Sequence, residues 1–219
     1  PPPADGAAGW RWEHPLPQGN TLSGVWVSPR GKLFAVGKAG TILHGGRGRV
    51  SVAPSSTRWP LHGVWGTSES SVYAVGAAGI VLHHDGKKWR TVRQAAPEHP
   101  DLWGVFSAAP GHVVAVGDRG TVVQLRGGKW TTSRPASVTL RGVWGVDPDN
   151  LFAVGAGGAL VRLSDNQWRS LPSDAYEDLW SVWGAGPDHV LAVGTRMTVV
   201  QYDGTRARED VVGRHHYRH

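Results

Sequence analysis

The 219-residue sequence contains no cysteine and only one methionine, Met197. The absence of thiols excludes a disulfide framework, a thiolate metal site and a cysteine nucleophile. No apolar stretch approaches the eighteen or so residues of a membrane-spanning helix, so no transmembrane segment is predicted. The net charge is +6, but the 23 Lys and Arg are scattered and no nucleic-acid-binding motif appears. The sequence therefore argues against nucleic acid as a partner.

Three residue types are abundant instead, with 31 Gly, 15 Pro and 12 Trp. The Gly and Pro content exceeds average usage and indicates a chain with many turns. Hydrophobic residues make up 40% of the sequence, enough to fill a substantial core. This composition favours an all-β fold over an α/β fold.

One sequence motif occurs five times and decides the predicted architecture. It reads Leu-x-Gly-Val-Trp, followed thirteen residues after its Leu by Ala-Val-Gly, and its copies begin at Leu22, Leu61, Leu102, Leu140 and Leu179. A period near 40 residues with strand-like content is typical of β-propeller blades, which bury their faces only against other blades. The sequence predicts a five-bladed β-propeller.

The second copy shows how each repeat divides into four strands. Runs rich in Val, Ile, Tyr and Trp alternate with turns at Gly76, Gly79 and Asp85-Gly86, and such residues favour strands and tight hairpins respectively. Each blade is therefore expected to be a four-stranded antiparallel sheet. The aromatic residue at the fifth place of the motif is expected to pack between blades; these residues are Trp26, Trp65, Phe106, Trp144 and Trp183.

The ends of the chain predict how the ring closes. The last copy lacks the tryptophan that marks the outer strand in the middle copies and has Ala207 there, whereas an unmatched Trp10-Arg11-Trp12 stands near the front. We expect an N-terminal strand to close the last blade and hide its edge. The predicted organisation is a Pro/Gly/Ala-rich tether over 1–9, the propeller over 10–204 and a charged His/Arg-rich tail over 205–219.

The repeat resembles known propeller families. The string from Val72 through Gly79 and Asp85-Gly86 to Trp89 is similar to the repeats of BNR-type and photosystem-assembly-factor-like propellers, and still more to the Gly-Val-Trp-Gly repeat proteins of myxobacteria and related bacteria. The resemblance implies a propeller fold and covers all five copies. Many of these proteins are exported, and a start at Pro1 preceding a proline-rich segment suggests processing. A secreted or cell-envelope (periplasmic or outer-surface) location is therefore expected.

A binding site is predicted at one end of the disc, where loops surround the central channel. The residue after each leading Leu varies completely, unlike its neighbours, and is expected to point to this end, together with residues of the second hairpin. The candidate ligand- or partner-binding residues are Ser23, His62, Trp103, Arg141, Trp180, Lys38, Asp118, Arg119 and Arg196. Because Met197 replaces the turn glycine of the other copies, the last hairpin is expected to be shaped differently.

No catalytic constellation is apparent, and no cofactor or metal site is predicted. The innermost strands carry no acidic residue, whereas a glycosidase needs two carboxylates across its cleft, so an enzyme is the least favoured interpretation. Two binding functions stay open. One is a protein-interaction or assembly scaffold, and the alternative is a lectin-like, carbohydrate-binding propeller, for which equivalent pockets should repeat their polar residues. The partner is accordingly a protein or a surface glycan, and the oligomeric state stays open.

Overall fold

The computed structural model describes residues 19–46, 48–96 and 98–210. These residues form five four-stranded antiparallel sheets, one for each copy of the repeat. The strands are short and bounded by glycine-rich turns, as the alternating β-branched and aromatic residues dictate. The predicted all-β fold with five propeller blades is confirmed.

Each blade takes its four strands consecutively from the chain. Blade 1 comprises β1 (Leu22–Val27), β2 (Leu33–Gly37), β3 (Ile42–Gly46) and β4 (Arg49–Val52). Blade 2 comprises β5 (Leu61–Ser68), β6 (Ser71–Gly76), β7 (Val81–His84) and β8 (Trp89–Arg93). Blade 3 comprises β9 (Leu102–Ala109), β10 (His112–Gly117), β11 (Val122–Arg126) and β12 (Lys129–Ser133).

The last two blades follow the same plan. Blade 4 comprises β13 (Leu140–Asp147), β14 (Asn150–Gly155), β15 (Leu160–Ser164) and β16 (Gln167–Ser170). Blade 5 comprises β17 (Leu179–Gly186), β18 (His189–Gly194), β19 (Val199–Tyr202) and β20 (Ala207–Asp210). The first strands of successive blades pack against one another, β1 on β5, β5 on β9, β9 on β13 and β13 on β17. The repeated Leu-x-Gly-Val-Trp motif therefore lines the inside of the array.

The hydrophobic core lies between neighbouring blades. The leading Leu61, Leu102, Leu140 and Leu179 are completely buried against the preceding blade. On the opposite face, Trp26 and Phe106 are buried as expected for the aromatic residue of the motif, and Trp65 and Trp144 are half-buried. Trp183 departs from this expectation, because 61% of it is exposed. No described blade follows blade 5 to cover it.

The outer strand of blade 5 differs from the sequence prediction. Ala207–Asp210 pairs antiparallel with β19, and Tyr202 lies opposite Ala207, so the place assigned to an N-terminal strand is already occupied. Ala207 is buried and fills the position that a tryptophan holds in the middle blades. The strand also lies within the range 205–219 that was expected to be a tail. Residues 1–18 and 211–219 lie outside the described residues.

A 3-10 turn joins the second and third strands of every blade, and its last two residues have positive φ. In the first four blades the final residue is a glycine with φ between 66° and 73°; these are Gly40, Gly79, Gly120 and Gly158. Met197 has φ 63° in the same turn of blade 5. The expectation of a differently shaped last hairpin is therefore wrong, since the methionine adopts the glycine conformation.

Candidate functional site

A β-bulge places the variable residue of the motif in all five blades. The register between the first two strands shifts by one residue after each leading leucine. The extra residues at the bulge are Ser23, His62, Trp103, Arg141 and Trp180. Because a bulge leaves one residue unpaired and redirects its side chain, the fold itself explains why this position varies while its neighbours do not.

The bulge residues of blades 2 and 3 contact one another. The His62 and Trp103 rings stack with their centroids 4.3 Å apart. The Trp103 indole N–H donates a hydrogen bond to Asp118 Oδ1 over 2.8 Å. Asp118 also accepts a hydrogen bond from the Thr139 hydroxyl at 3.2 Å, which links blade 3 to the segment entering blade 4.

His62 is held in an environment that disfavours its charged form. Burial lowers the pKa of His62 below its ordinary value, although the carboxylates of Asp101 and Asp118 act in the opposite direction. Its Nε2 lies 3.9 Å from Asp101 Oδ2, too far for a hydrogen bond. At neutral pH the ring is a neutral aromatic surface stacked on Trp103.

The bulge residues of blades 4 and 5 form a second contact pair. The Arg141 guanidinium carbon lies 4.1 Å from the centroid of the Trp180 ring, within the range of a cation–π interaction. Arg141 Nη2 also lies 3.4 Å from Asp178 Oδ2. Trp180 is 51% exposed, so much of its ring is open at this end of the disc.

The remaining predicted residues divide into two groups. Arg196 pairs with Glu177, with 3.4 Å between Nη1 and Oε1, and Thr195 donates to the same carboxylate at 3.0 Å. Ser23, Lys38 and Arg119 are exposed and make no contact with these clusters within the described part of the chain. We refer to His62, Trp103, Asp118, Arg141 and Trp180 as the rim network.

Sequence reasoning missed the carboxylates that support the rim network. Asp101 and Asp178 each stand immediately before a leading leucine, where the sequence analysis did not look. Asp101 Oδ1 accepts the Ala78 N–H at 2.7 Å, and Asp178 Oδ1 accepts the Gly157 N–H at 2.9 Å. Each carboxylate thus ties the entry of one blade to the 3-10 turn of the preceding blade. The signal was present in the sequence as an acidic residue next to the motif in two of five copies.

A polar pocket of about 580 Å³ lies at the other end, against blades 3 and 4. Its two arginines already contact other protein groups. Arg126 binds Asp149 at 2.9 Å and donates to Asn166, and Arg162 donates to the Tyr202 hydroxyl at 2.8 Å. The pocket is therefore less available to a ligand than the rim network, whose aromatic surface is partly open.

In residues 19–46, 48–96 and 98–210, no three or more His, Asp or Glu side chains form a group able to hold a metal ion. No helix in the described part of the chain is both long and apolar enough to cross a membrane.

Comparison with known proteins establishes the fold. No family model matches the sequence, and no curated protein matches it. The structure of U3-55K aligns with a TM-score of 0.73 at 10% identity, over 88% of this chain and 64% of that chain. The WD40 β-propeller domain of Doa1 aligns with a TM-score of 0.71 at 11% identity, over 85% of this chain and 66% of that domain.

A third similar structure is that of a propeller with a bound peptide. YCF48 bound to D1 peptide aligns with a TM-score of 0.60 at 14% identity, over 90% of this chain and 84% of that chain. The chain thus has WD40-like propellers as fold neighbours and spans about two thirds of the length of U3-55K and of the Doa1 domain.

Proposed function

We propose that this propeller is a non-enzymatic binding protein that acts as a protein-interaction or assembly scaffold, with the rim network as its contact surface. The observation that carries the proposal is the bulge repeated in every blade. It directs His62, Trp103, Arg141 and Trp180 to one end of the disc, where aromatic faces lie beside the Arg141 guanidinium. The negative charges at this end come from Asp118 and Asp178.

The chemistry of the rim network suits a peptide segment. Tryptophan and arginine are the residue types that dominate binding energy at protein interfaces. Arg141 and Asp178 are each partly exposed, with 24% and 37% of their side chains accessible, so both can exchange hydrogen bonds with a polypeptide. The propeller YCF48 has been solved bound to D1 peptide, which supports peptide recognition as a use of this fold.

A lectin-like function is the second candidate, and the exposed ring of Trp180 favours it. Aromatic faces pack well against the apolar faces of sugars. Two features weigh against it as the main function. Arg141 already covers one face of Trp180, and His62 already stacks on Trp103. The five bulge residues are of four different types, with only tryptophan occurring twice, whereas repeated sugar pockets would repeat their polar groups.

A glycosidase function is the least favoured. A glycosidase needs carboxylates free to act as acid and as base or nucleophile. The rim carboxylates instead accept hydrogen bonds from protein groups, Asp101 from Ala78 and Asp118 from Trp103 and Thr139. These contacts support a structural role for the acids.

We further propose membership of the Gly-Val-Trp-Gly repeat proteins and a secreted or cell-envelope location. Both rest on the sequence motif and on its resemblance to exported bacterial repeat proteins. Fractionation of cells producing the native protein, followed by immunodetection, tests the location; a signal confined to the cytoplasm would reject it.

The function is tested by selecting binders from a phage-displayed random peptide library. We expect enriched peptides to bind saturably and to lose affinity at least about tenfold in the Trp180→Ala variant, because interface tryptophans commonly contribute more than 1 kcal/mol. Arg126→Ala, at the opposite end of the disc, is the matched control and retains binding. A glycan array run in parallel separates the alternatives. Sugar binding that depends on Trp180, without peptide enrichment, would replace the scaffold by the lectin.

A further inference from the structure

The face of blade 5 that is turned away from blade 4, which we call its outward face, is apolar and is not covered by any described blade. Trp183, Leu191 and Val193 are 61%, 44% and 47% exposed. Their counterparts in blade 1 are Trp26, Phe34 and Val36, which are 8%, 0% and 0% exposed because blade 2 covers them. Blade 5 therefore has the composition of an internal blade without the neighbour that such a face requires.

The outward face of blade 1 is uncovered in the same way. Leu22 and Val25 are 44% and 63% exposed, whereas the equivalent Leu61 and Val64 of blade 2 are 0% and 6% exposed. An apolar groove of about 400 Å³ runs over this face. Among the described strands, β17 does not pack against β1 as the other first strands pack on their neighbours. Within residues 19–46, 48–96 and 98–210, no blade packs on the free faces of blades 1 and 5.

The internal junctions follow a packing rule between the fifth and sixth places of the motif. Blades 2 to 5 have Gly or Ser in the sixth place, and at the junctions of blades 1–2 and 4–5 the aromatic residue of one blade lies against that glycine of the next blade. A Cβ on Gly66 would stand 3.0 Å from the Trp26 ring, and a Cβ on Gly184 would stand 2.7 Å from the Trp144 ring. In blade 3 the sixth place is Ser107, whose carbonyl accepts the Trp65 indole N–H at 3.2 Å.

This rule shows that blade 1 is a poor partner for blade 5. The sixth place of blade 1 is Val27, so a direct junction would press the Trp183 ring against a branched side chain instead of a glycine or serine. The same mismatch arises whether blade 1 belongs to the same chain or to a second copy arranged head to tail. Overpacking of this kind forces side chains off their preferred rotamers or shifts the backbone, and so weakens the junction.

We propose that the open face of blade 5 docks a further four-stranded blade of the same repeat type, one with Gly or Ser in the sixth place of its motif. The described residues offer no such blade. The undescribed termini, residues 1–18 and 211–219, are each shorter than a blade of about 40 residues. The occupant is therefore a repeat unit beyond these 219 residues.

The proposal is tested by supplying the missing blade. Residues 53–93, which contain blade 2 and the connection before it, are appended behind His219 of the full chain. In this fusion, the Trp183 ring is expected to pack against the glycine of the appended copy that corresponds to Gly66. We expect the melting temperature to rise by roughly 5 °C, since about 2–4 °C accompanies each kcal/mol in a domain of this size.

The matched control is the same fusion with that glycine replaced by valine, which copies the Val27 arrangement. We expect the control to show at most half the rise. A melting temperature that is the same in the chain, the fusion and the control would overturn the proposal.

A second experiment does not depend on the fusion folding correctly. At the junction of blades 2 and 3, a Cβ on Gly63 would lie 3.5 Å from Val105 Cγ1. A direct junction of blade 5 with blade 1 would bring the equivalent Ser181 and Val25 equally close. Both residues are exposed, and the chain has no native cysteine, so Ser181→Cys with Val25→Cys gives an unambiguous readout under mild oxidation.

We expect both thiols to stay free and to react fully with a maleimide. A disulfide within one chain would show that blade 5 closes directly on blade 1. A disulfide-linked dimer, absent in the Val25→Cys single variant, would show that a second copy occupies the face. Either result would overturn the proposal.

Discussion

At the scale of single residues, the left-handed residue that ends the 3-10 turn must be glycine in some blades but not in blade 5. Gly120 is required because a Cβ there would clash with the Ala136 carbonyl oxygen, and Gly158 is required by the Ala175 carbonyl oxygen in the same way. Both carbonyls belong to the connection that runs on to the next blade. Met197 is 71% exposed, so its position only requires tolerance of a left-handed conformation. A side chain is tolerated at Met197 because no carbonyl oxygen of a following connection packs against this position in the described residues. The shape of the hairpin is unchanged.

This difference predicts contrasting effects of alanine at the two positions. Gly120→Ala adds both the steric clash and the left-handed penalty, and we expect it to lower the free energy of unfolding by about 2–4 kcal/mol. Met197→Ala retains the same φ and exposes less apolar surface, and we expect a change within about 0.5 kcal/mol. Urea unfolding followed by tryptophan fluorescence measures both variants. Equal losses would contradict the assignment of the clash as the cause.

At the scale of elements, the sequence predicted one of the two important positions in the segment that enters each blade, the residue after the leading leucine, but not the residue before it. The residue after the leading leucine was singled out because it varies, and the bulge explains that variation. The residue before the leucine was missed, because its role depends on the 3-10 turn of the preceding blade, 23 residues earlier in the case of Ala78 and Asp101. A contact between two loops of different repeats leaves no periodic trace when only some copies make it.

The two carboxylates before the leucines should differ in their contribution to stability. Asp101→Ala leaves the N–H of the buried Ala78 without its acceptor, and we expect a loss of about 1–3 kcal/mol. Asp178→Ala removes the acceptor of Gly157, which is exposed and can bind water instead, so the loss should be smaller. Asp101→Asn retains an acceptor oxygen and should recover most of the stability. If the three variants unfold at the same urea concentration, the proposed ties between blades are wrong.

At the scale of the whole molecule, the repeat predicted the number of blades and their strand order but assigned the outer strand of blade 5 to the wrong segment. The expected strand from the N-terminal segment does not fill the outer place of blade 5, because Ala207–Asp210 does so. The charged run over 205–210 concealed this strand, since an outer strand faces solvent on one side. The fit of the two end faces depends on individual side chains such as Val27 and Trp183, which the repeat pattern alone does not place against each other.

Histidine burial predicts how the stability of the whole domain depends on pH. Burial lowers the pKa of His44, His62, His83 and His84 below the ordinary value of 6.5. The unfolded chain takes up these protons near pH 6.5, whereas the folded chain takes them up only at lower pH, so the unfolded state binds more protons in between. The folded state should therefore be most stable above pH 6.5 and should lose stability as the pH falls below it.

The His84→Asn variant isolates one of these contributions. His84 is almost completely buried and packs its ring edge-on to Phe34, with the centroids 5.3 Å apart. Removing its proton uptake should flatten the fall in unfolding free energy between about pH 7.5 and pH 5.5, by up to about 1.4 kcal/mol per pH unit. Urea unfolding followed by tryptophan fluorescence across this pH range measures the slope for both proteins. Parallel slopes for the parent and His84→Asn would mean that the proton-linked loss arises from the other histidines rather than from this buried ring.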